Sequence, residues 1–168
     1  MGAQRYVRPI LEAFRAATEQ VGLGKGDACN TGENEGCGYF QVNRRSGVRW
    51  DAGKAFLRPI RHRPNLTVLT GLQVDQVLLN NTRARAVKAF WQGGWHEFAA
   101  RREIILCAGA VGSPGILQRS GVGPSQLLTR LGIGVRPAMP GAGGNLQDHL
   151  QLRLIYQIGD TRTLNQMA

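Results

Sequence analysis

The residues whose types and spacing could do chemistry lie between positions 104 and 123. Ile104, Ile105, Leu106 and Cys107 form a short apolar run that reads as a buried strand. Ala108, Gly109 and Ala110 follow with almost no side chain, so a ligand or another main chain could approach the backbone closely. Ser113 is a good N-cap and Pro114 suits the first helical position, where a missing N–H costs nothing. Ile116 and Leu117 supply the apolar side of that helix, and Gly121 stands where it should end. A strand, a bare turn and a helix N-terminus in succession are able to hold an anion or a nucleotide.

Other candidate chemistry is weaker. Asp148 and His149 could be half of a hydrolase triad, but the chain has no Gly-x-Ser-x-Gly elbow to complete it. His62, His96 and His149 with Cys29, Cys37 and Cys107 show no metal-ligand spacing, so no metal site is expected. The cysteines are too few for a disulfide framework. Cys29 and Cys37 share a glycine-rich loop, and Cys107 is expected to be a small buried hydrophobe. No Gly-x-Gly-x-x-Gly fingerprint occurs; Gly22, Gly24 and Gly26 follow a helix and lack the third glycine offset. The 168 residues carry a formal charge of +10, yet the arginines are scattered and collect on no single helix face. That pattern argues against a nucleic-acid partner. A hydrophobic content of 42% with 23 glycines describes a globular, turn-rich chain. No apolar run is long enough to span a bilayer and no signal-peptide pattern opens the chain, so a cytoplasmic location is the default; membrane contact is not legible.

The elements that must position the turn can be read on either side of it. Apolar residues from Tyr6 to Val21 recur at helical spacing, and Gly22 ends that helix. Residues 39–42 and 48–50 read as a hairpin across Asn43 to Gly47. Asp51 is placed to cap a short helix through Lys54, Ala55, Phe56 and Leu57 that stops near Pro59. Leu66 and Val68 suggest one strand, joined across Thr70 and Gly71 to a second at Val74, Val77, Leu78 and Leu79. Turns at residues 80–82 and 93–94 then mark off strands at 86–91 and 95–98, an antiparallel meander feeding the 104–108 strand. Downstream, Pro124 starts a helix with Leu127, Leu128 and Leu131 on one face and Gly132 beyond its end. Leu150, Leu152, Leu154 and Tyr156 give a strand of incomplete alternation.

The string from Gly109 to Gly123 resembles a signature of the glucose–methanol–choline (GMC) family of FAD-dependent oxidoreductases. Two further blocks resemble the family in the same order. Pro64, Asn65, Leu66, Val68, Thr70 and Val74 fit its Pro-Asn-Leu-x-Val-x-Thr-x-x-x-Val pattern, and residues 141–149 are similar to its glycine-x-asparagine-leucine-glutamine-aspartate-histidine block. Arg49, Ala52, Ala55 and Leu57 keep a further family run, with Asp51 where a serine is usual.

The resemblance implies an α/β (α+β) chain: part of an FAD-binding Rossmann-like domain with a β-meander, plus pieces of an antiparallel substrate-domain sheet. It implies residues 1–48 on the substrate-domain side, 49–144 in the FAD domain and 145–168 as the start of a substrate-domain strand. FAD is the implied cofactor, with Val74, Ala108, Gly109 and Ser113 around its adenosine end, and a small-molecule alcohol the implied substrate. The family's diphosphate fingerprint and catalytic histidine match nothing here, so the chain reads as the middle of such an enzyme, inactive alone, with no catalytic residue assigned and no electron acceptor legible. Choline-oxidising members look to carry a glutamate two residues after the block's histidine; Gln151 stands there, with Arg153 nearby, which points to an uncharged alcohol. The alternatives are a basic nucleic-acid-binding domain and a ligand-free structural fragment.

Overall fold

The computed structural model describes residues 7–26, 32, 35–157 and 159. They fall into two compact units, one of residues 1–67 with 154–168 and one of residues 68–153.

In the first unit, α1 (Pro9–Gln20) opens with a proline in its first turn, where no N–H is needed. It closes in a Schellman motif, with Leu23 N–H on the Thr18 carbonyl at 2.9 Å and Gly22 N–H on that of Glu19 at 3.0 Å. The helix forms where its periodicity predicts, but its apolar face is not covered: Phe14 is 59% exposed. The expected hairpin is narrower than the sequence suggests. Among the described residues the ladder joins β1 (Arg44–Arg45) to β2 (Val48–Arg49), and Tyr39 to Gln41 lie outside it. Tyr39 is engaged elsewhere: its hydroxyl donates to Glu12 Oε1 at 2.7 Å and the Arg15 guanidinium stacks over its ring. That hydrogen bond lowers the Glu12 pKa, while desolvation first, and Glu12 second, raise that of Tyr39.

Asp51 caps as expected, its Oδ1 accepting the Lys54 N–H at 2.8 Å, and this bond lowers its pKa. The helix that follows is a single π-helical stretch, Gly53–Leu57, continued by the short α2 (Arg58–Ile60). Pro59 therefore lies in the first turn of α2 instead of ending a helix. Cys37 is free and half-buried, with its backbone bridged to Gly24 and Gly26; Cys29 lies outside the described residues.

The second unit is the meander β3 (Gln73–Asn80), β4 (Arg83–Trp91) and β5 (Gly94–Ala99), with α3 (Gly109–Arg119) packed on β3. Both reversals are two-residue turns, Asn81–Thr82 and Gln92–Gly93. Gln92 and Gly93 both have positive φ, the type I′ geometry that suits strand twist. The predicted strand at Leu66 and Val68 is absent; those residues lie in a turn and an irregular stretch leading to Gly71.

The 104–107 run forms no regular element and has no ladder partner among the described residues, and Ile105 is 73% exposed. Cys107 is exposed, contrary to expectation. Residues 150–156 likewise pair with nothing described. The reason is the same in both places. An apolar extended segment becomes a buried strand only when neighbouring strands take up its N–H and C=O groups.

The core of this unit is Val77, Ala86, Ala89, Ile116, Val122, Leu128 and Ala142. At its centre the buried Ser120 hydroxyl accepts the Val77 N–H at 2.8 Å and donates to the Ile116 carbonyl at 2.6 Å. It thus ties the end of α3 to the outward-facing edge of β3. Ser120→Ala is expected to lower stability by about 1–3 kcal/mol, because it leaves a buried backbone donor without a partner. Denaturant unfolding of the two proteins checks it, and an unchanged midpoint would count against that role.

Candidate functional site

The bare turn is built differently from its sequence expectation. α3 begins at Gly109, four residues before Ser113, so Ser113 is not its N-cap. Ser113 Oγ instead reaches back and accepts the Ala108 N–H at 3.0 Å, satisfying a donor at the helix start. Pro114 lies inside the helix, where it removes one hydrogen bond to the preceding turn. Gly109 has φ +82° with open space where a Cβ would project. Its glycine is needed for backbone conformation, not for clearance.

Two clefts flank α3. The first, about 550 Å³, brings Val74 of β3 together with Ala108, and is walled by Leu72, Val111 and Ile116. Its floor on the helix side is Ala108, Gly112 and Gly115. A Cβ at Gly112 would come 3.0 Å from that of Ala108, so the small residues keep this space open. The second cleft, about 930 Å³, lies between α3 and residues 139–147 and is lined by Ser113, Pro114, Met139 and Asn145 among others. Of the four residues singled out by sequence, Val74 and Ala108 therefore share one cleft, Ser113 lines the other, and Gly109 lines neither.

The end of α3 is as closely specified as its start. Val122 N–H meets the Leu117 carbonyl at 2.9 Å and Gly121 N–H meets that of Gln118 at 3.0 Å, a second Schellman motif. The chain then turns back, with Arg136 N–H on the Gly121 carbonyl at 2.8 Å and Met139 N–H on that of Gly123 at 3.0 Å. Gln118 Nε2 donates to the Ala142 carbonyl at 2.9 Å, fastening the 141–144 turn to α3. α4 (Ser125–Arg130) takes Pro124 as its N-cap and buries Leu128 completely.

Sequence reasoning missed Ser120 and Arg119. Arg119 carries its guanidinium to the Val74 and Asp75 carbonyls, and Ser120 holds Val77. Their signal was available in principle, since a serine on an apolar helix end next to a C-capping glycine needs a partner when buried. Asp148 and His149 do not form a catalytic pair: the Asp148 carboxylate accepts its neighbour's own backbone N–H at 2.8 Å, and both side chains are exposed. Among the described residues no group of His, Cys, Asp and Glu could hold a metal ion, and no helix is long and apolar enough to cross a membrane.

The second unit thus sets a three-stranded antiparallel meander against a glycine-opened helix, with a bare cleft along the sheet edge. The chain belongs to the GMC oxidoreductase family, whose model matches residues 1–151. It is 38% identical over 164 residues to an oxygen-dependent choline dehydrogenase of Photobacterium profundum, covering 98% of this chain and 29% of the relative. It is 41% identical over 151 residues to the oxygen-dependent choline dehydrogenase of Yersinia pestis, covering 88% and 27%. Among solved structures, pyridoxine 4-oxidase from Mesorbium loti superposes with a TM-score of 0.71 at 36% identity, over 80% of this chain and 26% of that one. An FAD-dependent oxidoreductase from Chaetomium thermophilum gives 0.73 at 30% identity, over 79% and 24%. The chain thus spans roughly a quarter to three-tenths of the length of these relatives.

Proposed function

We infer that this chain is a segment of an FAD-dependent enzyme that oxidises the CH–OH group of an alcohol, and that it supplies the adenosine end of the flavin site. The observation that carries this reading is the cleft joining Val74 and Ala108 over the bare surface of Gly112 and Gly115. Adenine is flat and apolar on its faces and polar along its edge. The cleft answers both demands, with apolar walls from Leu72, Val111 and Ile116 beside the backbone of an edge strand. Val74 and Ala108 would hold the adenosine half, while Gly109 and Ser113 set the turn beneath it. When bound, FAD accepts the hydride that leaves the alcohol carbon. Residues 49–144 are assigned on this reading to the FAD domain, and 1–48 and 145–168 to the substrate-domain side.

The 168 residues alone are expected to oxidise no alcohol and to hold FAD weakly, since no diphosphate-binding fingerprint is among them. Flavin absorbance after desalting checks this; stoichiometric yellow protein would move the cofactor site elsewhere. In the full-length enzyme, Gly112→Val should fill the cleft and weaken FAD by at least about tenfold, an expected loss of roughly 1.4 kcal/mol. Unchanged FAD affinity in that variant would remove the adenosine from this cleft.

A further inference from the structure

The last turn of α3 carries a side chain that lines clefts on both of its sides. Arg119 borders the cleft of Val74 and Ala108, and also a smaller one of about 410 Å³ with Gln76, Gly121 and residues 133–136. Its head reaches β3. Arg119 Nε donates to the Asp75 carbonyl at 2.8 Å and lies 3.2 Å from Asp75 Oδ1, while a terminal nitrogen sits 3.5 Å from the Val74 carbonyl.

Asp75 is where the β3–β4 ladder slips. Val74 pairs with Ala89 and Gln76 pairs with Lys88, so Asp75 is the extra residue of a bulge. In a regular strand successive carbonyls point to opposite sides; at the bulge, two adjacent carbonyls face one guanidinium. A bulge left to itself can migrate or flatten, and a shift of one residue would redirect every backbone group at that edge. The planar fork of an arginine can hold two carbonyls and a carboxylate at once, which the single ammonium of a lysine does less well. A cation also suits the last turn of a helix.

We propose that Arg119 is a positioning residue for the adenosine end of FAD, locking the Val74–Asp75 bulge so that the strand edge faces the cleft. The proposal rests on the adenosine reading above. It differs from that of a simple helix–sheet clamp in what it predicts for ligands that carry only half of FAD. A clamp would weaken all of them alike, whereas a bulge lock at the adenosine end affects only those that contain adenosine.

The test uses the full-length apo-enzyme and measures dissociation constants for FAD, ADP and FMN by flavin fluorescence and competition. Arg119→Gln should raise the constants for FAD and ADP about tenfold and leave that for FMN unchanged. Arg119→Lys should recover part of the loss, because it keeps the charge without the fork. Equal weakening of FAD and FMN, or no change in either, overturns the proposal. Gly112→Val separates its failure from that of the reading beneath it. If Gly112→Val weakens FAD and ADP while Arg119→Gln does not, Arg119 has no such role and the cleft still holds adenosine. If neither variant changes FAD or ADP, the adenosine lies elsewhere and the proposal falls with it.

Discussion

Gly121→Ala is expected to destabilise the protein by about 2–5 kcal/mol, lowering the unfolding midpoint of a chain this size by roughly 4–20 °C. Two costs add. Gly121 has φ +83°, a left-handed conformation that costs a residue with a Cβ about 1–2 kcal/mol. The added Cβ would also overlap the Gly134 carbonyl oxygen and stand 3.1 Å from Arg136 Cγ. Neither neighbour can retreat easily, because Arg136 N–H is bonded to the Gly121 carbonyl at 2.8 Å and its guanidinium to the Leu79 carbonyl at 3.2 Å. Relieving the contact means pulling the 133–136 segment off the end of α3, an overpacking cost of about 1–3 kcal/mol more.

Gly132→Ala supplies the internal comparison. Gly132 also follows a helix, has φ +70° and closes α4 by the same pair of bonds, but nothing lies within 4 Å of where its Cβ would be. It should lose only the conformational part, about 1–2 kcal/mol. Thermal unfolding of both variants measures the two costs separately. Equal losses would show that the close approach at Gly121 is readily relaxed.

The contrast between these glycines also marks what was legible in the sequence. Gly22, Gly121 and Gly132 end their helices where local chemistry says they should, because a C-cap depends on a few consecutive residues. The meander was legible for the same reason: its two turns carry residues that accept positive φ, and its strands pair with their immediate neighbours. The start of α3 was not. Ser113 and Pro114 look like a cap and a first turn, yet the chain enters the helix at Gly109, where a positive φ sets the turn and Ser113 reaches back to Ala108. Helix-start signals name residue types that suit a terminus; they do not exclude an earlier one that a glycine makes possible.

The apolar runs at 104–107 and 150–156 show the opposite limit. Their apolar character was readable, but pairing is a property of two segments, and no partner lies among the described residues. Val74 and Ala108 were brought to one cleft by the resemblance, not by periodicity. The cleft is also bordered by Arg119, which is bonded to Asp75 at a ladder slip that no residue pattern announces.

The full-length enzyme is expected to turn over uncharged alcohols with a kcat/KM roughly a hundredfold above that for choline. The relevant residues follow the Asp148–His149 block. Gln151 and Arg153 lie two positions apart in a stretch without regular structure, and an Arg153 terminal nitrogen is 3.4 Å from Gln151 Oε1. A quaternary ammonium neither donates nor accepts an ordinary hydrogen bond, so it is held by charge or by aromatic faces. A carboxylate near 4 Å would contribute about 1–4 kcal/mol to that attraction, depending on how much water screens it. Gln151 forgoes the attraction and Arg153 adds a repulsion, and together about 2.7 kcal/mol corresponds to two decades in rate. The named activity of the two choline dehydrogenase relatives favours the opposite outcome, so the comparison is decisive. Gln151→Glu provides the second arm: it should raise kcat/KM for choline about tenfold while leaving a neutral alcohol of similar size nearly unchanged, since restored charge acts only on a charged substrate. Clear preference of the unmodified enzyme for choline, or a Gln151→Glu variant indifferent to substrate charge, would place position 151 outside the recognition of the alcohol.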